Sequence, residues 1–105
     1  MTLNQKQWKF SQMVADLIKA MASAGYEVSL GYALREPNSI IGKLGPKSCH
    51  AKKLAIDLNL FKDGKYLTST EDHRVFGELW ESWGGSWGGR FNDGNHYSIE
   101  HEGVR

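Results

Sequence analysis

The 105-residue sequence has little of several features that would point at once to a class of function. It has one cysteine, Cys49, so no disulfide can form within the chain. Its net charge of +1 gives no electrostatic reason to expect a nucleic-acid partner. It has no apolar run of transmembrane length and no signal-peptide core near its N-terminus. We therefore expect neither membrane insertion nor export through a leader of its own.

The length predicts one domain, residues 1–105, with a modest hydrophobic core. Apolar residues make up 40% of the chain and charged residues 24%, a balance that is typical of a soluble globular protein. Glycine and tryptophan are concentrated between Trp80 and Gly94. This bias predicts a glycine-rich loop over residues 86–94.

Apolar periodicity predicts two helices, over residues 3–24 and 71–83. The apolar stripe predicted for the first helix consists of Phe10, Met13, Val14, Leu17, Ile18 and Met21. Thr2 followed by Gln5 fits a capping box for the first helix, although Asn4 is an alternative cap. We expect His73 to be solvated, because it lies in a charged stretch of the second helix. The apolar stripe predicted for that helix consists of Val75, Phe76, Leu79, Trp80 and Trp83.

Alternating side chains predict strands at residues 26–34, 54–61 and 96–100, with a surface loop over 36–49. Asp63-Gly64 is typical of a type I′ hairpin turn, and Tyr66 starts a short return strand. In the strand over 54–61, one face carries Leu54, Ile56, Leu58 and Leu60, and the other carries Ala55, Asp57, Asn59 and Phe61. We therefore expect an α+β fold, a small and mostly antiparallel sheet braced by two helices.

Asp57 lies inside an apolar run, where a carboxylate is costly to bury unless it is paired or binds a metal. His50 precedes that strand, and Asp93 and His96 lie in a second polar cluster. Two imidazoles and one carboxylate suit a catalytic zinc site, which leaves a fourth position for water. The residues alone allow an alternative, in which both histidines are ordinary loop residues and Asp57 is a paired structural acid.

Two motifs resemble those of a known enzyme family. Ser48-x-His50-x-x-x-x-Ala55-x-Asp57 resembles the Ser-x-His-x-x-Gly-x-Ala-x-Asp signature of VanY-type zinc D-alanyl-D-alanine carboxypeptidases and phage L-alanyl-D-glutamate peptidases, with Lys53 in place of the glycine. The run from Gly88 to Ser98 is similar to the Asp-x-x-His element of the same group. The whole most resembles the small endolysins of phages and prophages, whose fold is shared with the hedgehog signalling domain.

The resemblance implies a zinc cofactor held by His50, Asp57 and His96, with Asp93 as the general base. It also places Arg35 where the family carries an arginine that binds substrate or stabilises the oxyanion.

Ser48 matches a serine that contacts the substrate, and Arg90 competes with Arg35 for the oxyanion role. Trp87, in the glycine-rich loop, is a candidate for a cleft wall that contacts substrate. Cys49 as a thiol nucleophile, with His96 as its base, is a weaker alternative. We expect His101 to be structural.

The function that the resemblance implies is zinc-dependent hydrolysis of peptidoglycan stem peptides at the L-alanyl-D-glutamate bond, by an endolysin that lyses its host. A D-alanyl-D-alanine carboxypeptidase and a non-catalytic, zinc-stabilised binding module are the alternatives. The expected partner is bacterial peptidoglycan, with no nucleic acid, and the expected state is a monomer. The protein would remain in the host cytoplasm until a holin permeabilises the membrane and lets it reach the cell wall.

Overall fold

The fold comes from a computed structural model that describes residues 1–31 and 52–105. Within those ranges the chain forms two α-helices and five strands, which confirms the predicted α+β fold. The elements are α1 (Leu3–Ser23), β1 (Glu27–Leu30), β2 (Ala55–Lys62), β3 (Lys65–Leu67), α2 (Arg74–Ser82), β4 (Ser86–Trp87) and β5 (His96–Ser98). Short 3-10 turns at Glu71–His73 and Gly88–Phe91 precede α2 and follow β4.

Helix α1 begins as its sequence predicts. The Thr2 hydroxyl accepts from the Gln5 backbone N–H at 3.1 Å, and the Gln5 side chain accepts from the Thr2 N–H at 2.9 Å. This reciprocal pair satisfies two backbone donors that the first turn leaves without partners. The buried side of the helix follows the predicted apolar stripe and consists of Phe10, Met13, Leu17 and Met21.

Strand β2 is the centre of an antiparallel sheet in the order β1-β2-β5-β4. Strand β3 also pairs with β2, along the same edge as β5 and beyond its end. The hairpin turn between β2 and β3 has positive φ at both Asp63 (53°) and Gly64 (78°), as a type I′ turn requires.

The sheet has two unlike faces. On the helix-covered face, Trp80 of α2 and Phe10 of α1 pack with the buried β2 side chains. That face consists of Leu54, Ile56, Leu58, Leu60, Trp87 and Tyr97. On the opposite face, which we call the polar face, the register brings together Gly31, Asp57, Asn59, His96 and Ser98.

Three expectations about secondary structure and burial are wrong. His73 is buried, because the 3-10 turn points its ring inward to Tyr97 while the charged neighbours remain outside. Val75 is 71% exposed, since α2 turns Phe76, Gly77 and Trp80 to the core instead. The segment predicted as loop contains strand β4, which pairs Trp87 with Tyr97.

No helix in the described ranges has the length and apolar character needed to cross a bilayer.

Candidate active site

Asp57 and His96 are direct cross-strand partners in the β2–β5 ladder. The Leu58 N–H donates to the Asn95 carbonyl at 2.9 Å, so the pair next to it, Asp57 and His96, is of the non-hydrogen-bonded kind. Cross-strand side chains approach most closely at such pairs. The Asp57 Oδ1 lies 3.5 Å from the His96 Nδ1, and both side chains are largely buried.

Asp93 approaches the same imidazole from the turn before β5. Its Oδ2 lies 3.9 Å from the His96 Nδ1, and its side chain is 52% exposed. The carboxylates of Asp57 and Asp93 therefore both lie within 4 Å of the His96 imidazole, and the Asp93 carboxylate is open to solvent. This arrangement can hold a cation between Asp57 and His96 while Asp93 is accessible to a substrate.

Backbone bonds fix the turn that carries Asp93. The Asp93 N–H donates to the Gly88 carbonyl at 2.8 Å, and the His96 N–H donates to the Asp93 carbonyl at 3.0 Å. Below the turn, the buried Trp87 indole donates to the Gly94 carbonyl at 2.8 Å. A Cβ at Gly88 would overlap the Asp93 carbonyl and crowd the His96 Cβ, so the turn requires glycine there.

Two polar-face residues adjoin the site and were not assigned a role from the sequence. The Gly31 N–H donates to the Asp57 carbonyl at 2.7 Å, and a Cβ at Gly31 would lie only 3.1 Å from the Asp57 Cβ. Glycine thus allows the backbone after β1 to lie close against Asp57. The Asn59 Oδ1 accepts from Asn95 at 3.2 Å and from the Tyr66 hydroxyl at 3.3 Å. The sequence pattern that could have indicated a role for Asn59 is its position two residues after Asp57, on the same strand face.

The segment that contains Asp57, Asp93 and His96 matches a known protein family. Residues 42–99 match the D-alanyl-D-alanine carboxypeptidase family, and this match covers more than half of the chain. The chain belongs to that family. The matched range runs from before β2 through β5, so it includes Asp57, Asp93 and His96 in one family segment. No curated protein matches the chain.

Four residues that were given a possible site role from the sequence lie outside the described residues. They are Arg35, Ser48, Cys49 and His50. The structure therefore brings together Asp57, Asp93 and His96, and the assignments of those four residues stay predictions.

Trp87 does not form a cleft wall. It is 1% exposed, because β4 turns it to the helix-covered face, where its ring packs beneath the turn that carries Asp93. Arg90 binds Glu81 of α2 through two hydrogen bonds of 2.7 and 2.9 Å and lies over the Trp87 ring. The hydrogen bonds from Arg90 lower the pKa of the Glu81 carboxyl. Arg90 thus joins the turn to α2.

His101 and His73 contact residues outside the candidate site. The His101 Nδ1 lies 3.1 Å from the Lys6 Nζ, and the His101 backbone pairs with Val104. The His73 Nδ1 lies 2.8 Å from the Tyr97 hydroxyl. Burial lowers the pKa of His73 from 6.5 to about 4, against a smaller opposing effect of Asp72. Burial also raises the pKa of Tyr97, so both partners are neutral at pH 7.

The donor set of the polar face fits a zinc site in part. Imidazole nitrogen and carboxylate oxygen are both zinc ligands, and Asp57 and His96 supply one of each from a rigid strand pair. Residues 1–31 and 52–105 contain no group of three His, Cys, Asp or Glu side chains that could hold a metal ion. A third protein ligand would therefore come from residues 32–51, where His50 is the predicted one.

Proposed function

We propose that the protein is a zinc-dependent peptidase that cleaves the stem peptides of bacterial peptidoglycan at the L-alanyl-D-glutamate bond. The observation that supports this most is the meeting of Asp57, His96 and Asp93 within 4 Å, inside the segment that matches the family. Hydrolysis of an amide by water needs side chains that bind a metal ion and a nearby carboxylate that can accept a proton. Asp57 and His96 are the two metal-binding side chains, and Asp93 is the exposed carboxylate.

Zinc would be held by Asp57 and His96, with His50 as the third ligand. When bound, zinc would supply Lewis-acid chemistry that lowers the pKa of water to about 7, so that water can lose a proton and attack an amide carbonyl near neutral pH. The buried Asp57 and His96 would hold the ion in one place, because strand pairing fixes both backbones.

Asp93 would act as the proton carrier. Its carboxylate takes a proton from the attacking water as the carbon–oxygen bond forms, and it gives that proton to the leaving nitrogen as the carbon–nitrogen bond breaks. Its exposure lets it reach both atoms, and the backbone bonds of the turn hold it in place. Arg35 would stabilise the negative carbonyl oxygen, and Ser48 would contact the peptide.

The second candidate is a D-alanyl-D-alanine carboxypeptidase, and the description of the matching family favours it. The two reactions share the same chemistry and differ only in whether the cleaved bond is internal or terminal in the stem peptide.

The proposed biological role is that of an endolysin. The protein would accumulate as a monomer in the host cytoplasm and reach peptidoglycan once a holin has permeabilised the membrane. Expression alone should then be tolerated, with lysis only after membrane damage. Rapid lysis of intact cells on expression would contradict this role.

The decisive experiment is digestion of purified peptidoglycan by the full chain, with and without a chelator, followed by mass analysis of the fragments. We expect new termini at L-alanine and D-glutamate, loss of activity with chelator and recovery with added zinc. Release of single D-alanine would favour the carboxypeptidase. Equal digestion with and without chelator would contradict a metal-dependent reaction.

A further inference from the structure

A polar cleft of about 160 Å³ lies beside Asp93, between the residues that follow β3 and the turn before β5. It is smaller than the roughly 300–1,000 Å³ pockets that enclose whole drug-sized ligands, so it suits one ring or small group of a larger substrate. Its polar lining consists of Tyr66, Thr68, Thr70, Asn92, Asp93 and Asn95.

The charge of the cleft limits what it can bind. Its lining offers hydroxyl and amide groups with one carboxylate, Asp93, and no lysine or arginine of the described ranges is part of it. Arg74, the basic residue that follows the cleft residue His73, binds Glu71 at 2.7 Å instead. A substrate carboxylate would find no lysine or arginine of residues 1–31 and 52–105 in this lining. The lining therefore favours an uncharged group that is rich in hydroxyls and amides.

Buried groups support the cleft. His73 contributes to its wall, but it is 2% exposed and its ring is turned inward to Tyr97, so it supports the lining from behind. The Thr70 side chain makes no capping hydrogen bond to the helical turn that follows it, so its hydroxyl is available to a ligand. Such fixed polar groups bind with little loss of conformational entropy.

An aromatic edge completes the cleft. Tyr66 is half exposed, and its ring stacks on Phe61 with the centroids 5.0 Å apart. Its hydroxyl donates to Asn59, which also accepts from Asn95, so the cleft is continuous with the polar face. A flat ring beside several hydrogen-bonding groups suits a small ring with one apolar face and polar edges.

We propose that this cleft binds the N-acetylated sugar that carries the stem peptide, an inference that rests on the proposed function. The sugar's carboxyl group is consumed in its amide bond to the first L-alanine, so the sugar is uncharged and rich in hydroxyl and amide groups. A single residue, spanning about 3.5 Å, separates it from the L-alanyl-D-glutamate bond. The terminal D-alanine bond lies several residues further away. Occupancy of this cleft therefore selects the internal bond.

The test compares two substrates that share one peptide. One carries the muramoyl sugar on its L-alanine, and the other carries a simple N-acetyl group there. We expect kcat/KM to be at least about tenfold higher for the muramoyl peptide, the worth of one to two good hydrogen bonds. Equal values would overturn the sugar subsite and leave the peptidase intact. Cleavage of neither substrate would instead contradict the proposed function.

Cleft variants sharpen the result. Thr70→Val removes the hydroxyl and keeps the shape, so the preference for the muramoyl peptide should fall about threefold to tenfold. Thr70→Ser retains the hydroxyl and should retain the preference. An unchanged preference in both Thr70→Val and Thr68→Val would count against the cleft.

A binding measurement is independent of catalysis. Titration of the ¹⁵N-labelled protein with muramoyl-L-alanine should shift the side-chain amide signals of Asn92 and Asn95, and N-acetyl-L-alanine should not. Identical spectra with and without muramoyl-L-alanine would overturn the proposal even if the chain proved catalytically inactive.

Discussion

His73 and His96 are both buried histidines, and they lie on opposite faces of the sheet. His73 packs on the helix-covered face against the neutral Tyr97 hydroxyl, and burial lowers its pKa to about 4. His96 packs on the polar face between two carboxylates. The comparison shows that burial alone does not identify a site. Charged partners that converge from separate elements, with one of them open to solvent, are the distinguishing feature.

The largest expected effect is on the polar face. Asp93→Asn keeps size and removes the basic carboxylate, so the rate of hydrolysis should fall by about two to four orders of magnitude. Zinc content, measured by metal analysis, and unfolding free energy should stay near the parent values. Asp63→Asn, on the exposed hairpin turn, is the matched control and should leave the rate unchanged. A parental rate in Asp93→Asn would remove Asp93 from the mechanism.

A substitution on the helix-covered face should instead lower the stability of the fold. Trp80 is fully buried, contacts Phe10 and Tyr97, and donates to the Ser98 carbonyl at 2.8 Å. Trp80→Ala should lower the unfolding free energy by about 3–5 kcal/mol, measured by urea denaturation. Trp8→Ala, at a residue that is 68% exposed, should change it by less than about 0.5 kcal/mol. Similar losses in the two variants would contradict the assigned core.

A third prediction uses the pKa of His73, which is about 4 in the folded chain and about 6.5 in the unfolded chain. Below pH 6.5 the unfolded state binds a proton that the folded state does not. Stability from this residue is therefore complete above pH 6.5 and is lost as the pH falls to 4, by up to about 3 kcal/mol.

Urea denaturation at pH 7 and pH 4 measures that loss. His73→Gln should flatten the pH dependence, because it removes the buried imidazole. An equally steep dependence in His73→Gln would show that other groups cause the acid sensitivity.

The smallest effect tests the entry to the central strand. Lys53 stands at the glycine position of the family-like signature and has a φ of 59°, a left-handed conformation that a side chain disfavours. Lys53→Gly should raise the unfolding free energy by about 0.5–1 kcal/mol. Lys52→Gly, one residue earlier and without positive φ, should lower it. A lower unfolding free energy in Lys53→Gly would show that the left-handed backbone at Lys53 does not destabilise the fold.

The sequence predicted elements whose periodicity reflects burial on one side. The stripe of α1 and the alternation of β2 both matched the structure, because each pattern follows directly from which face meets the core. The type I′ turn was equally local, since Asp63-Gly64 tolerates the positive φ values. These features need no knowledge of distant neighbours.

Features set by distant neighbours were harder to predict. The charged residues around His73 indicated exposure, but the partner that buries it, Tyr97, belongs to another strand. Trp87 lies among glycines, and only its pairing with β5 shows that it faces the core. The residues Asp57, His96 and Asp93 were predicted as a group from motifs, whereas the pairing of Asp57 with His96 and the close approach of Gly31 to Asp57 came from the structure.

The pairing of Asp57 with His96 also has a kinetic consequence. The two residues belong to strands that are far apart in the chain, and β5 comes late in the order of elements. Closing such a long-range contact is slow compared with forming a helix or the β2–β3 hairpin. A partly folded chain with α1, β2 and β3 in place would still lack half of the site. The appearance of hydrolytic activity during refolding should therefore report the docking of β5.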